Sequence, residues 1–164
     1  MINILYETHN VCRIKKHIAL VRMLMLNIGV LFKFDKRELL KRVEKHDITK
    51  FDNDEYLGFM LLGDEKEHGR YLTQEEKYIV QQAITQHYQK NSHHPQHYND
   101  CNEMSEIDLL EMVCDWQAIS IEKKTPLILK NIASFNKEKQ LIIKKFYEAG
   151  IIFIKESKLE PIAG

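Results

Sequence analysis

The stretch Ile14-Lys15-Lys16-His17-Ile18-Ala19-Leu20-Val21-Arg22-Met23-Leu24-Met25-Leu26-Asn27-Ile28 decides the fold class. Ile14, Ile18, Val21, Met25 and Ile28 recur at alternating steps of four and three, which draws one apolar stripe down an α-helix. The spacing predicts a helix from about Asn10 to Val30. The apolar run from Ile18 to Phe32 is shorter than the roughly 20 residues that cross a bilayer, and Arg22 and Asn27 interrupt it. It reads as a core helix. Helical signals continue outward from it. Leu39, Leu40 and Val43 point one way on a helix from Lys36 to about Asp47. Phe51 to Leu62 holds a short third helix, followed by a charged loop from Gly63 to Tyr71. Thr73-Gln74-Glu75-Glu76 is a capping box opening a helix with Ile79, Val80, Ala83, Ile84 and His87 on one side. Ser105-Glu106-Ile107-Asp108 is a looser box opening a helix through about Ile121. Thr125-Pro126 reads as an N-cap with proline at the first helical position. A last helix, Lys137 to Ala149, is expected to stop at Gly150 as a left-handed cap, leaving Ile151 to Ile154 as a short strand or final turn.

The expected fold is therefore all-α, one domain over residues 1–164, with the helices of 124–164 closing the bundle. The chain has 164 residues, 44% of them apolar and 29% charged, which argues against disorder and against a membrane protein. Lys plus Arg equals Asp plus Glu at 24 each, so no bulk field draws the chain onto long nucleic acid or anionic lipid. Three cysteines, Cys12, Cys101 and Cys114, stand far apart without a CxxC pair, and no signal peptide opens the sequence. The expectation is a reduced, cytoplasmic protein without a disulfide frame.

The compositional oddity is histidine. There are eight, four of them between His87 and His97. Polar residues on apolar helix faces matter because their burial costs energy unless something compensates. His17 shares a face with Val21, Leu24 and Ile28. His46-Asp47 closes the second helix, and His87 continues the stripe of Val80, Ala83 and Ile84. Asp108, Glu111 and Asp115 lie three and four residues apart in an otherwise apolar helix, a narrow acidic sector. Each has a plain alternative: a core histidine bonded to a carbonyl, a solvated acidic face, a polar turn at His93-His94-Pro95. Met112, Cys114 and Trp116 read as packing. Taken together, five segments offer imidazoles or carboxylates at helix faces or ends, a donor set without thiolate that suits a first-row divalent ion.

In this order, His17, His46-Asp47, His87, His93-His94 and Asp115, the residues resemble the HD-domain superfamily of metal-dependent phosphohydrolases, an all-α fold. His46-Asp47-Ile48-Thr49-Lys50-Phe51, His93-His94-Pro95 and Glu111-Met112-Val113-Cys114-Asp115-Trp116 are similar to the marks of a small phage and bacterial branch of it. The likeness covers about residues 10 to 120. It departs from many branches in placing Thr49-Lys50 where they carry an acid, which leaves the general acid open.

The resemblance implies that His17, His46, Asp47 and Asp115 bind one divalent ion (Mn, Fe, Co, Ni, Zn or Mg). His87, His93 and His94 would hold a second ion or contact the phosphate. It implies hydrolysis of a small phosphorylated metabolite, a nucleotide first, by metal-activated hydroxide. Asp47 or Asp115 would orient the water, Lys50 would reach a phosphate oxygen, and Glu111 would support a ligand imidazole or a bound water. Arg13 reads as a surface arginine, with an extension of the phosphate site as the alternative. Tyr56, Tyr71, Tyr88 and Trp116 are candidates to stack on a base or, more plainly, core. A homodimer is left open. The rival expectations are a metal- or nucleotide-sequestering protein without turnover, and a helical interaction protein with solvated histidines. The Pro-Cys-x-x-Cys segment of zinc deaminases is absent.

Overall fold

A computed structural model describes residues 4–159, and among them the only regular secondary structure is helical. Six α-helices follow in order: α1 Ile4–Leu31, α2 Lys36–Lys45, α3 Asn53–His68, α4 Gln74–Lys90, α5 Glu106–Glu122 and α6 Lys137–Glu156. Short 3₁₀ turns occupy Ile48–Phe51, Pro95–His97 and Cys101–Glu103. The stripe of α1 is buried throughout, Val21, Met25 and Ile28 completely. Full burial stabilises such side chains by roughly 1.5–3 kcal/mol each. α1 packs on α5, α2 and α6, and α3 lies along α4. The main core gathers Leu24 and Ile28 of α1, Leu109 and Val113 of α5, and Ile143 and Phe146 of α6. A second cluster, Ile14, Ile18, Phe59, Met60 and Ala83, ties α1 to the α3–α4 pair.

The two capping boxes form as the sequence predicts. Thr73 and Glu76 close a reciprocal box at α4, and Ser105 and Asp108 do so at α5. Asp35 accepts from the amides of Arg37 and Glu38 at α2, stabilisation worth about 1 kcal/mol per cap.

Four boundaries differ from expectation. α1 begins at Ile4, ahead of Asn10. Gly63 does not start a loop: α3 runs through it because the side chain of Asn10 packs where a Cβ would stand, donating to the Met60 carbonyl and to Asp64. The helix ends instead at Gly69, in the left-handed region at φ 65°. Thr125-Pro126 opens no helix. Residues 125–132 are irregular, and Leu127 and Leu129 turn toward the core while Ile128 is 71% exposed, a period of two that belongs to extended chain. Pro126 also disfavours helical backbone at Thr125. Gly150 lies inside α6, where a Cβ would collide with the Gln117 amide. The glycine permits close approach of α5 and α6, and residues 151–154 stay helical, with Ile154 fully buried.

Candidate metal centre

The middle of α1, the end of α2, the end of α4 and the middle of α5 converge on one buried point. His17 comes from α1. His46 and Asp47 follow the last turn of α2, and Asp47 adopts a left-handed backbone at φ 55°. Aspartate tolerates that conformation better than most residues, and it turns the chain into the Ile48–Phe51 segment, whose Lys50 folds back to pair with Asp47. His87 sits in the last turn of α4, and the turn after it supplies His93 and His94. Asp115 and Glu111 descend from α5. His17, His46, Asp47, His87, His93, Glu111 and Asp115 are all buried. Asp108, Glu111 and Asp115 thus form no solvated face.

One pattern repeats around the imidazoles. His46 donates from Nδ1 to Glu111 (2.7 Å), His87 from Nδ1 to Glu55 (2.8 Å), His17 from Nδ1 to Glu122 (3.0 Å), and His93 lies with Nδ1 3.2 Å from the same Glu111 oxygen that holds His46. With Nδ1 held by a carboxylate, each ring turns Nε2 inward, the arrangement that fixes tautomer and aim in metal-ligating histidines. The Nε2 atoms of His46, His87, His93 and His94, and Oδ1 of Asp47, are buried without a hydrogen-bond partner. Orphaned buried polar atoms are rare and costly. Grouped around Asp47, these five could hold a metal ion.

Asp47 divides the inward atoms into two sets. Its Oδ2 faces Nε2 of His17 (3.6 Å) and of His46 (3.7 Å), and His17 Nε2 lies 2.9 Å from Asp115 Oδ1. Its Oδ1 faces Nε2 of His87 (3.1 Å) and of His93 (3.5 Å). The donor atoms of His17, His46, Asp47 and Asp115 lie within 4.8 Å of one another, and so do those of Asp47, His87, His93 and His94. Ligands about 2.1 Å from a metal stand about 3.0 Å apart in cis-octahedral and about 3.4 Å apart in tetrahedral geometry. The residues present fit a divalent ion in the first set, and the second set fits another.

The electrostatics follow from these pairings. Burial pushes the Asp47 carboxyl upward, but Lys50, His46 and His87 outweigh it and hold it well below the usual carboxylate range. Glu111 and Asp115 are lowered despite burial by their imidazole partners. Burial would lower His17, yet its bonds to Asp115 and Glu122 raise it to about 9. Burial and the neighbouring His93 and His87 push His94 down to about 3, so its imidazole is neutral, the form a metal takes.

Above the cluster lies a cavity of about 280 Å³ lined by His17, Asp47, Lys50, His87, His94 and Asp115, with Ile14, Phe59, Ile84 and Tyr88 on its apolar walls. Lys50 is in it, 5.1 Å from the centre of the Phe59 ring. Glu111, His46 and His93 stand behind it and do not line it. Of the aromatic candidates only Tyr88 lines the cavity. Tyr71 is 97% exposed, Tyr56 donates to Glu7, and Trp116 lies beneath Lys130.

Sequence reasoning missed Glu55, Glu122 and Arg42. Glu55 reaches His87 because α3 and α4 touch at Gly58 and Ala83, where a Cβ on Gly58 would stand 2.3 Å from that of Ala83. Glu122 is two turns beyond Asp115, so the acidic sector extended along α5 would have found it. Arg42, one turn before His46, pairs with both Glu111 and Asp108. Asp108 in turn accepts from Ser92 and Tyr98, a network that holds Glu111 in place. Cys12, Cys101 and Cys114 are free thiols, and no described helix is long and apolar enough to cross a membrane.

Residues 6–152 match a family of unknown function (DUF5662), to which the chain belongs. No curated protein and no solved structure matches it.

Proposed function

We propose that this member of the family is a metal-dependent phosphohydrolase of the HD type, acting on a small phosphorylated metabolite such as a nucleotide. The observation that carries the reading is the ring of buried, unpartnered imidazole Nε2 atoms around the two oxygens of Asp47. A scaffold protein has no use for so costly an arrangement, whereas a divalent ion satisfies it. Donors limited to nitrogen and oxygen suit Mn, Fe, Co, Ni or Zn. The resemblance of His46 to Phe51 and of Glu111 to Trp116 to HD-domain segments supports the same reading.

His17, His46, Asp47 and Asp115 would hold the first ion, and Asp47 with His87, His93 and His94 a second. Such ions, when bound, polarise phosphoryl oxygens and lower the pKa of water toward neutrality. The protein does the rest. Asp115, oriented by His17, accepts a hydrogen bond from the attacking water and aims it into the cavity. Lys50, beside Asp47, places an ammonium where a phosphoryl oxygen enters. Glu55, Glu111 and Glu122 keep four imidazoles in the correct tautomer, and Ile14, Phe59 and Ile84 limit bulk water.

The test is phosphate release from a panel of phosphorylated metabolites with Mn²⁺, Co²⁺ or Mg²⁺. Turnover that Asp47→Ala abolishes supports the proposal. Metal and nucleotide binding without turnover on any substrate would favour a sequestering protein instead.

A further inference from the structure

The cavity does not end at the ligand cluster. Between α1, α3 and the end of α5 it opens into a wider groove of about 730 Å³, and Arg13, Lys66 and Lys123 line both. Arg13 Nε is buried yet has no hydrogen-bond partner, and none of these three cations is in an ion pair among the described residues. The acids at this mouth are Glu122, engaged with His17, and Glu67. Arg13 of α1, Lys66 of α3 and Lys123 just past the end of α5 therefore face one opening with little local compensation. Such clefts concentrate anions. Arg13 lies one helical turn before His17 on α1, about 5–6 Å along the helix surface. An arginine side chain and one anhydride bridge can span that gap.

We propose that Arg13, Lys66 and Lys123 form an anion subsite for a second phosphoryl group, so that the substrate is a phosphoanhydride rather than a simple phosphomonoester. This assignment of substrate class rests on the hydrolase reading. In the reaction the water oxygen forms a new bond to the phosphorus at the cluster, and the bond from that phosphorus to the bridging oxygen breaks. The electron pair of the broken bond leaves on the second phosphate, which the cationic rim stabilises as its charge grows. One water proton stays on the product phosphate and the other passes to solvent.

The probes are orthophosphate and methylenediphosphonate, a pyrophosphate analogue whose P–C–P bridge does not hydrolyse. Each is titrated calorimetrically into the full chain with Mg²⁺ held in excess, and metal content is measured on the same preparation. The expected result is at least about tenfold tighter binding of the diphosphonate, as charge-assisted contacts to a second anion should give. Arg13→Gln/Lys66→Gln/Lys123→Gln should erase that preference while orthophosphate binding persists. Arg13→Gln alone, checked for an unchanged melting curve, should reduce it severalfold. Equal affinities in the wild type, a preference that survives the triple substitution, or no binding of either probe would overturn the subsite. Failure to bind metal, with diphosphonate binding that still depends on Arg13, would instead remove the hydrolase reading and leave the anion subsite standing.

Discussion

Replacing Glu111 with Gln removes one charge and almost no volume, at the carboxylate that serves two imidazoles. Oε1 of Glu111 lies 2.7 Å from His46 Nδ1 and 3.2 Å from His93 Nδ1, while Oε2 meets Arg42. His46 belongs to the first donor set and His93 to the second. A glutamine oxygen that accepts from the imidazoles turns its amide nitrogen toward the Arg42 guanidinium, donor against donor. Losing a partner behind a metal-ligating histidine typically lowers affinity about 10–100-fold, so both sets should weaken by that factor. Glu55 also meets Thr49 and Lys90, but His87 is its only imidazole, so Glu55→Gln should weaken only the second set. Arg42 keeps Asp108 in the Glu111 variant, so the fold should survive, destabilised by about 1–3 kcal/mol for the unpaired buried groups. Calorimetric titration of chelator-treated protein with Mn²⁺ or Zn²⁺ reads the two affinities, and a thermal melt confirms the fold. Wild-type binding by a folded Glu111→Gln protein, or the same loss pattern in both variants, would refute the reasoning.

Gly58→Ala places a Cβ 2.3 Å from that of Ala83. Alanine is favoured over glycine in helices by about 1 kcal/mol, but forcing α3 and α4 apart should reverse the sign and cost about 1–3 kcal/mol net. The urea midpoint decides, and a raised midpoint would contradict the close helix contact. In metal-free protein His17 is raised from 6.5 to about 9, so its contribution to stability is complete below pH 6.5 and is lost as pH rises toward 9. The shift corresponds to about 3 kcal/mol. His93 is also raised, by Glu111 against its burial, and acts in the same direction. Asp115 and Glu111 are lowered and already contribute fully across that window. Melting curves in excess chelator should therefore fall between pH 6.5 and 9, and a flat or rising profile would contradict the His17 pairing. Glu122→Gln, which removes one of the two partners of His17, should lower the first set's metal affinity about 10–100-fold while sparing the second. An unchanged first set would contradict that support.

The candidate ligands could be read from the sequence because each breaks a local pattern. His17 and His87 interrupt apolar stripes, His46-Asp47 follows a helix end, and Asp115 sits in a helix apolar on nearly every other side. The carboxylates behind the imidazoles were harder to see. Glu55 lies in the run Asp52-Asn53-Asp54-Glu55, where Asp52 and Asp54 are half-exposed and only the crossing at Gly58 and Ala83 buries its third acid. Lys66 comes from a stretch read as loop, and the face it shares with Arg13 exists only once α3 is known to continue. Gly63, Gly69 and Gly150 make the same point. Two are close approaches within helices and one is a cap, a distinction set by the neighbouring element and not by the residue.

The most direct test is the metal content of the purified chain, expressed with adequate metal, beside that of Asp47→Ala. Asp47 offers one oxygen to each donor set. The account predicts between one and two divalent ions per wild-type chain and loss of both in the variant. Less than one ion per wild-type chain, or full retention without Asp47, would contradict it.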